Sequence, residues 1–231
     1  MGDNWHTVAQ YLAPTHTIYL VDQRNHGKSF HSDEMNYHLM AQDVLDLMAD
    51  QCLENVILIG HSMGGKTAMM CANLMPHKIS KLIVVDIAPK QYKPSHQHYF
   101  DVLNALNLKT PSRKDIETEL ALSIENKGEI LFLMKNIYRT EGDDFGFKFN
   151  LQAIERSYSE ILSEIKFDGA LAIQTLFIKG ENSSYITTQD QEEIKQHFDH
   201  VKIDEVDKSG HWVHADNPTG FLTVLLSFLN S

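Results

Sequence analysis

The feature that most restricts the fold is a glycine-rich turn between an apolar run and a helical pattern. Residues 55–60 form a short, continuous apolar run, which is typical of a strand buried on both faces of a sheet. The run leads into Gly60-His61-Ser62-Met63-Gly64, and residues 62–75 then follow a helical pattern that ends before a proline. A strand-to-helix turn this sharp needs very small residues two places before and two places after the serine. It lifts the serine hydroxyl above the sheet edge at a helix N-terminus, so the pattern predicts that Ser62 is a nucleophile. The alternative is a turn that only lets the helix pack closely on the sheet.

Short apolar runs alternate with helical patterns over the first third of the chain. Strands are predicted at 16–22, 55–60 and 81–86, and helices at 37–50 and 62–75. This order implies a parallel sheet with helices on its faces and right-handed crossovers.

The alternation stops after residue 88 and resumes near residue 169. Residues 89–168 contain helical patterns but no convincing buried strand, so they are predicted to form a helical insertion. The core would then consist of residues 1–88 and 169–231. Its second half is predicted to contain a strand at 171–178, a helix at 188–198, a half-exposed edge strand at 201–206 and a closing helix at 221–229.

Composition argues against several classes of function. The length of 231 residues suits one domain, and the net charge of −11 argues against nucleic acid and anionic lipid as partners. No apolar stretch reaches the length of a transmembrane helix, so no membrane span is expected. Cys52 and Cys71 are isolated, which is typical of reduced thiols in a cytoplasmic protein.

No metal or other cofactor is expected. The spacings His211-x-x-His214 and His96-x-His98 could belong to a metal site, but no cysteine or carboxylate spacing supports one. A small-molecule substrate is therefore the one partner that the sequence predicts.

A serine hydroxyl is a weak nucleophile without a base, and the best candidate for that base is His211. It lies in a loop after the last predicted strand and follows Gly210, which lets the loop project a side chain toward the sheet edge. In folds with this serine turn the base comes late in the chain. His214 is the rival candidate.

The acid that should orient the base has two candidates. Asp86 ends the strand after the serine turn, so it points to the same sheet edge. Glu181 lies in the loop after the strand at 171–178, where the acid stands in most proteins with this turn, although Ser183 fills the usual place. Asp86 is favoured because it stands at the carboxyl end of a predicted strand. The alternative is that Asp86 only forms a turn after this strand.

Four motifs together resemble the bacterial YbfF-type esterases, which are related to the ABHD-type hydrolases. They are Asp22-Gln23-Arg24-Asn25-His26-Gly27-Lys28-Ser29, Gly60-His61-Ser62-Met63-Gly64-Gly65-Lys66, Val85-Asp86-Ile87-Ala88-Pro89 and Gly210-His211-Trp212-Val213-His214. The likeness covers essentially the whole chain. It implies an α/β-hydrolase fold, an ester or thioester hydrolase, an acid at Asp86, and a helical cap formed by residues 89–168.

The resemblance also implies one departure. Family members have strands before the segment that matches Met1, and a His-Gly loop there gives the first backbone donor of the oxyanion hole. The chain is therefore expected to be an N-terminally truncated α/β-hydrolase in which the amide of Met63 is the predictable oxyanion donor.

Seven residues are candidates for substrate binding. Arg24, Asn25 and His26 follow a strand at the active edge, and they either line the pocket or fix the turn before the next glycine. His61 adjoins the serine. Tyr92, with Tyr99 and Phe100, either shapes an acyl pocket or belongs to the core of the cap.

The expected reaction is hydrolysis of an acyl ester, or of a thioester such as acyl-CoA, through an acyl-enzyme. Two alternatives stay open on the same scaffold. One is C–C bond hydrolysis or elimination on dicarboxylates, which would want basic residues in the cap pocket. The other is a non-catalytic, receptor-like protein whose ligand binding would not depend on Ser62.

Overall fold

The computed structural model describes residues 1–110 and 112–231. The α-helices are α1 (His6–Leu12), α2 (Tyr37–Asp50), α3 (Met63–Leu74), α4 (Gln97–Ala105), α5 (Arg113–Ala121), α6 (Lys127–Lys135), α7 (Leu151–Arg156), α8 (Tyr158–Leu162), α9 (Thr188–His197), α10 (Val213–Asp216) and α11 (Pro218–Leu229). The strands are β1 (Val56–His61), β2 (Ile79–Val85), β3 (Ile137–Arg139), β4 (Phe145–Phe147), β5 (Leu171–Gly180) and β6 (Phe198–Val206).

Four strands form the central sheet in the order β1-β2-β5-β6, and each neighbouring pair is parallel. The strands predicted from apolar runs correspond to β1, β2 and β5, and the predicted half-exposed strand is β6. β1 and β6 are the two edges of the sheet, and β1 is mostly half-buried rather than buried as predicted. The prediction of an α/β protein with a parallel sheet and flanking helices is therefore confirmed.

Hydrophobic clusters cover both faces of the sheet, which explains why the apolar run of β2 is continuous. On β2, Leu82 and Val84 pack in a cluster with α2 and α3. The alternate residues, Ile83 and Val85, pack on the opposite face in a cluster with α1 and α11. A strand buried on both sides reads as a continuous apolar run, and this is the pattern that identified it.

Because the strands are parallel, their carboxyl ends meet at one edge of the sheet. There β1 runs into Ser62 and β2 runs into Asp86. The loop after β6 carries His211 to the same edge. The topology thus places three distant parts of the sequence together.

The predicted strand at 16–22 is wrong. Residues 17–23 belong to no strand, and the outermost strand on that side is β1. No strand pairing joins residues 17–23 to β1, and residues of both line one cavity. Apolar, β-branched composition favours extended backbone, but a strand also needs a neighbour to complete its hydrogen bonds.

The segment between β2 and β5 packs around a hydrophobic cluster of its own, built from α4 to α7 and the antiparallel hairpin β3-β4. This hairpin is not predicted from the sequence, because strands of three residues are too short to show a period-two pattern. The boundaries 89 and 168 stay a prediction.

No helix in the described parts of the chain is both long and apolar enough to span a bilayer. Both cysteines are unpaired. Cys71 is buried in the core, whereas Cys52 is exposed.

Candidate active site

Ser62 lies in a tight turn between β1 and α3. Its φ of +53° is in the left-handed region, which costs free energy for a residue with a side chain. The turn is held because the Ser62 amide donates to the Val85 carbonyl at 3.0 Å, extending the ladder between β1 and β2 by one bond. A Cβ at Gly60 would lie 2.1 Å from the Gly64 carbonyl oxygen, so only glycine fits there.

Position 64, two residues after the serine, is less tightly confined than position 60. Outside its own helix, a Cβ at Gly64 would meet one atom, the side-chain Nε2 of Gln23, at 3.3 Å. A flexible side chain can move by a few tenths of an ångström, whereas the backbone facing Gly60 cannot. The tight constraint therefore lies before the serine rather than on both sides of it.

We expect Gly60→Ala to destabilise the fold much more than Gly64→Ala. The first substitution forces the turn backbone apart and should lower the free energy of unfolding by about 3 kcal/mol, whereas the second should change it by about 1 kcal/mol or less. Urea denaturation of the two variants measures both values. Equal losses of stability would contradict this description of the turn.

Three side chains form a continuous chain of hydrogen bonds. The Ser62 hydroxyl lies 3.0 Å from Nε2 of His211. The opposite ring nitrogen, Nδ1, lies 2.8 Å from Oδ2 of Asp86. Since a carboxylate accepts, Nδ1 carries a proton and Nε2 of the neutral ring is free to accept the serine proton.

Asp86 is completely buried, and two further hydrogen bonds hold its carboxylate. The Gly180 amide donates to Oδ1 at 3.1 Å, and the Ser183 hydroxyl donates to Oδ2 beside the His211 nitrogen. Its φ of +50° turns the backbone sharply at the end of β2. The alternative acid, Glu181, accepts from the Lys208 amide instead and does not contact His211.

Two rings hold His211 in place. His61 donates from Nε2 to the His211 backbone carbonyl at 2.7 Å. Burial, together with the neighbouring rings of His211 and His214, holds the pKa of His61 well below its usual value, so it is a neutral donor. On another side, the Tyr185 ring stacks on the imidazole at a centroid distance of 3.8 Å.

His214, the rival base, lies elsewhere. Its ring stacks on Trp5 with 4.8 Å between centroids, and the buried Nδ1 atom has no hydrogen-bond partner among the described residues. Burial is the main cause that lowers the pKa of His214 to about 4, and nearby His211 adds to it. A ring that resists protonation at this level is poorly suited to act as the base.

The depressed pKa of His214 predicts a loss of stability in acid. The unfolded chain binds this proton near pH 6.5 and the folded chain only near pH 4, so the free energy of unfolding falls as the pH drops through that window. The phenylalanine of His214→Phe cannot be protonated. Between pH 7 and pH 5 we therefore expect the free energy of unfolding of this variant to fall by about 2 kcal/mol less than that of the unmodified chain. Urea denaturation at both pH values measures this difference. His77→Phe, at an exposed position, is the matched control, and an equal pH dependence in both variants would contradict the prediction.

A cavity of about 1520 Å³ opens at Ser62. The segment between β2 and β5 walls the part above the serine, and the rest of the cavity extends along β1 between α2 and residues 1–21. Five of the candidate substrate-binding residues line this cavity, namely His26, His61, Tyr92, Tyr99 and Phe100. The hydroxyl of Tyr92 is itself occupied, because it accepts from the Ala88 amide and donates to the Tyr185 carbonyl.

Arg24 and Asn25 do not line the cavity, which corrects their assignment to substrate binding. The Arg24 guanidinium forms a bidentate ion pair with Asp43 and donates to two backbone carbonyls. Asn25 is fully buried at a φ of +65°, and its carbonyl accepts from the Asn150 amide at 2.9 Å. Arg24 joins the turn to α2, and Asn25 joins it to the inserted segment.

The Met63 amide is the first of α3, so it has no acceptor within the helix and stands beside the serine hydroxyl. This is the position that a donor to an oxyanion requires. Among residues 1–110 and 112–231, no cluster of three or more potential metal ligands occurs.

The sequence analysis missed Tyr185 and the aromatic contact between Phe132 and Trp212, whose ring centroids are 4.4 Å apart. This second contact joins α6 to the loop that carries His211. No local signal identifies such pairs, because the partners lie far apart in sequence. Ser183 was noticed only as the residue that replaces the usual acid.

Comparison with known proteins agrees with this architecture. Residues 1–218 match the model of the alpha/beta hydrolase fold family. A putative esterase/lipase of Haemophilus influenzae is 39% identical over 99% of this chain and 79% of its own length. Esterase YbfF of Escherichia coli is 33% identical over 99% of this chain and 88% of its own length. A solved structure described as a marine microorganism esterase is 41% identical, with a TM-score of 0.96 over 98% of this chain and 90% of that protein. The chain therefore belongs to the α/β-hydrolase fold family and is a relative of the YbfF-type esterases.

Proposed function

We propose that this chain hydrolyses carboxylic esters through an acyl-enzyme on Ser62. The observation that carries the proposal is the unbroken hydrogen-bond chain from the Ser62 hydroxyl through His211 to buried Asp86, which opens into a cavity. Relatives in Haemophilus influenzae and Escherichia coli are described as esterases, which supports the same class of reaction.

The first half of the reaction forms the acyl-enzyme. Nε2 of His211 takes the Ser62 proton while Oγ attacks the ester carbonyl carbon, and the Met63 amide donates to the oxyanion. The tetrahedral intermediate then collapses, the carbon–oxygen bond to the alcohol breaks, and Nε2 protonates the leaving alcohol. Asp86 stabilises the imidazolium throughout.

The second half releases the acid. Water enters where the alcohol left, and Nε2 of His211 takes its proton as the oxygen attacks the acyl carbon. When the intermediate collapses, the proton passes to Ser62, and a carboxylic acid leaves. The enzyme returns to its starting protonation state without a cofactor.

The cavity wall favours a neutral ester over an acyl-CoA thioester. Of the lysines and arginines that the structure describes, Lys93 alone lines the cavity, whereas Glu54, Glu129 and Asp216 are acidic lining residues. Coenzyme A carries phosphates that attract basic side chains, and the dicarboxylates of the alternative C–C chemistry would need them too. The mostly apolar lining suits an acyl chain instead.

The test compares p-nitrophenyl acetate and p-nitrophenyl octanoate with acetyl-CoA and octanoyl-CoA. We expect a kcat/KM for each ester at least about 10-fold above that for the thioester of the same chain length. Faster hydrolysis of the CoA thioesters would contradict the proposed substrate class. A folded chain that hydrolyses none of the four would contradict the reaction itself and would favour the receptor-like alternative.

A further inference from the structure

Lys66 is an almost completely buried lysine that the reaction does not use. It lies on α3, four residues after Ser62, and only 1% of its surface is exposed. A lysine is almost never buried to this extent unless its amine has partners that offset the lost hydration. The contacts of this amine therefore indicate what it does.

The Lys66 amine donates to one carbonyl on each chain connection of the inserted segment. These connections, residues 89–92 and 161–165, are called the hinge segments below. The acceptors are the carbonyls of Lys90, at 2.7 Å, and Ser163. Burial lowers the pKa of Lys66 to about 7, but a neutral amine retains two hydrogens, enough for both bonds.

The hinge segments are also bonded to each other and to α2. The Tyr92 amide donates to the Leu162 carbonyl at 2.9 Å, and the Ile165 amide donates to the Pro89 carbonyl at 2.7 Å. The Tyr37 hydroxyl, from α2, donates to the Ile161 carbonyl at 2.6 Å. The Lys66 amine lies over the rings of both tyrosines, 5.5 Å from the Tyr37 centroid and 4.8 Å from that of Tyr92.

The hinge segments form part of the wall of the substrate cavity. Tyr92, Ile161 and Leu162 all line it. The Tyr92 hydroxyl donates to the Tyr185 carbonyl, and the Tyr185 ring stacks on His211. A displacement of the hinge segments would therefore change the width of the cavity.

Resting on the proposed ester hydrolysis, we propose that Lys66 is a positioning residue that fixes the hinge segments and thereby sets the cavity width for longer acyl chains. It does not touch the reacting atoms. Removal of the Lys66 amine should weaken the binding of a long acyl chain that reaches the hinge segments. It should not affect an acetyl group, which is held next to Ser62.

The test is Lys66→Met, which keeps the length of the side chain and its contact with the two rings but removes the donors. We expect the KM for p-nitrophenyl octanoate to rise about 10-fold while kcat/KM for p-nitrophenyl acetate stays within about 3-fold of the unmodified value. Tyr37→Phe removes one of the neighbouring bonds and provides a milder variant if Lys66→Met does not fold. It should raise the octanoate KM in the same direction, by about 3-fold.

Lys81→Met is a closely matched control. The Lys81 amine also donates to two backbone carbonyls, those of Phe228 and Leu229, and lies 5.1 Å from the centroid of the Phe228 ring. These contacts join β2 to the end of α11, and Lys81 does not line the cavity. Lys81→Met should lower stability in urea without changing the ratio of octanoate to acetate activity.

The outcomes separate the two proposals. One outcome is that the unmodified chain hydrolyses both esters and that Lys66→Met, or Tyr37→Phe in its place, changes the activity on both esters by the same factor. This outcome would overturn the positioning role of Lys66 and leave the esterase proposal standing. A shift in chain-length preference with Lys81→Met would also overturn it, because the effect would then reflect stability alone. Hydrolysis of neither ester by the unmodified chain would overturn the proposed function and the role of Lys66 with it.

Discussion

Ser62→Ala is expected to lower kcat for p-nitrophenyl acetate by about 10⁴-fold or more. The substitution removes the one oxygen that His211 contacts through Nε2, so no acyl-enzyme can form. Binding should persist, because the cavity wall does not change. Steady-state hydrolysis measures the loss, and the mass of the protein during turnover shows whether an acyl group accumulates.

Ser80→Ala is the matched control for this experiment. Ser80 is exposed on β2, and its hydroxyl donates to the Asn55 carbonyl, away from the sheet's carboxyl edge. We expect its activity to stay within about 2-fold of the unmodified chain. Activity retained in Ser62→Ala would mean that another group is the nucleophile.

Asp86→Asn is expected to lower kcat by about 10³- to 10⁴-fold while leaving the fold intact. The Gly180 amide needs an acceptor, so the asparagine oxygen would face it, and the amide NH₂ would face His211. That arrangement forces Nδ1 to accept and moves the ring proton to Nε2. The imidazole could then no longer accept the proton of Ser62.

Glu181→Gln separates the two candidate acids. Glu181 holds the Lys208 amide and does not contact the imidazole, so we expect little change in kcat. Kinetics of both variants on p-nitrophenyl acetate, with circular dichroism as a check on folding, decide between them. A large loss in Glu181→Gln and a small loss in Asp86→Asn would reverse the assignment.

The parts of the fold that could be predicted are those with a local cause. The strands β1, β2 and β5 contribute side chains to the hydrophobic clusters on both faces of the sheet, so packing on both faces makes their residues apolar in sequence. Residues 16–22 have the same composition but form no strand, because pairing depends on a neighbour rather than on the segment itself. The hairpin β3-β4 is not predicted because its strands are too short to show a periodic pattern.

In the candidate site, too, the residues that can be predicted are those with a local signal in the sequence. Ser62 is marked by its own turn, and Asp86 and His211 by their places at the ends of strands, which the parallel topology brings together. Arg24 follows a predicted strand too, yet it turns away to pair with Asp43, which adjacency in sequence cannot reveal. Tyr185 and Lys66 act through contacts between distant segments, and their neighbours in sequence give no sign of them.

The most direct test of the central claim, that Ser62 is an activated nucleophile, is covalent labelling by a fluorophosphonate. The folded chain is incubated with the reagent, its intact mass is recorded, and the modified peptide is identified. We expect one adduct per chain, located on Ser62 and absent from Ser62→Ala. A folded chain that gains no adduct, or an adduct that persists in Ser62→Ala, would contradict the claim.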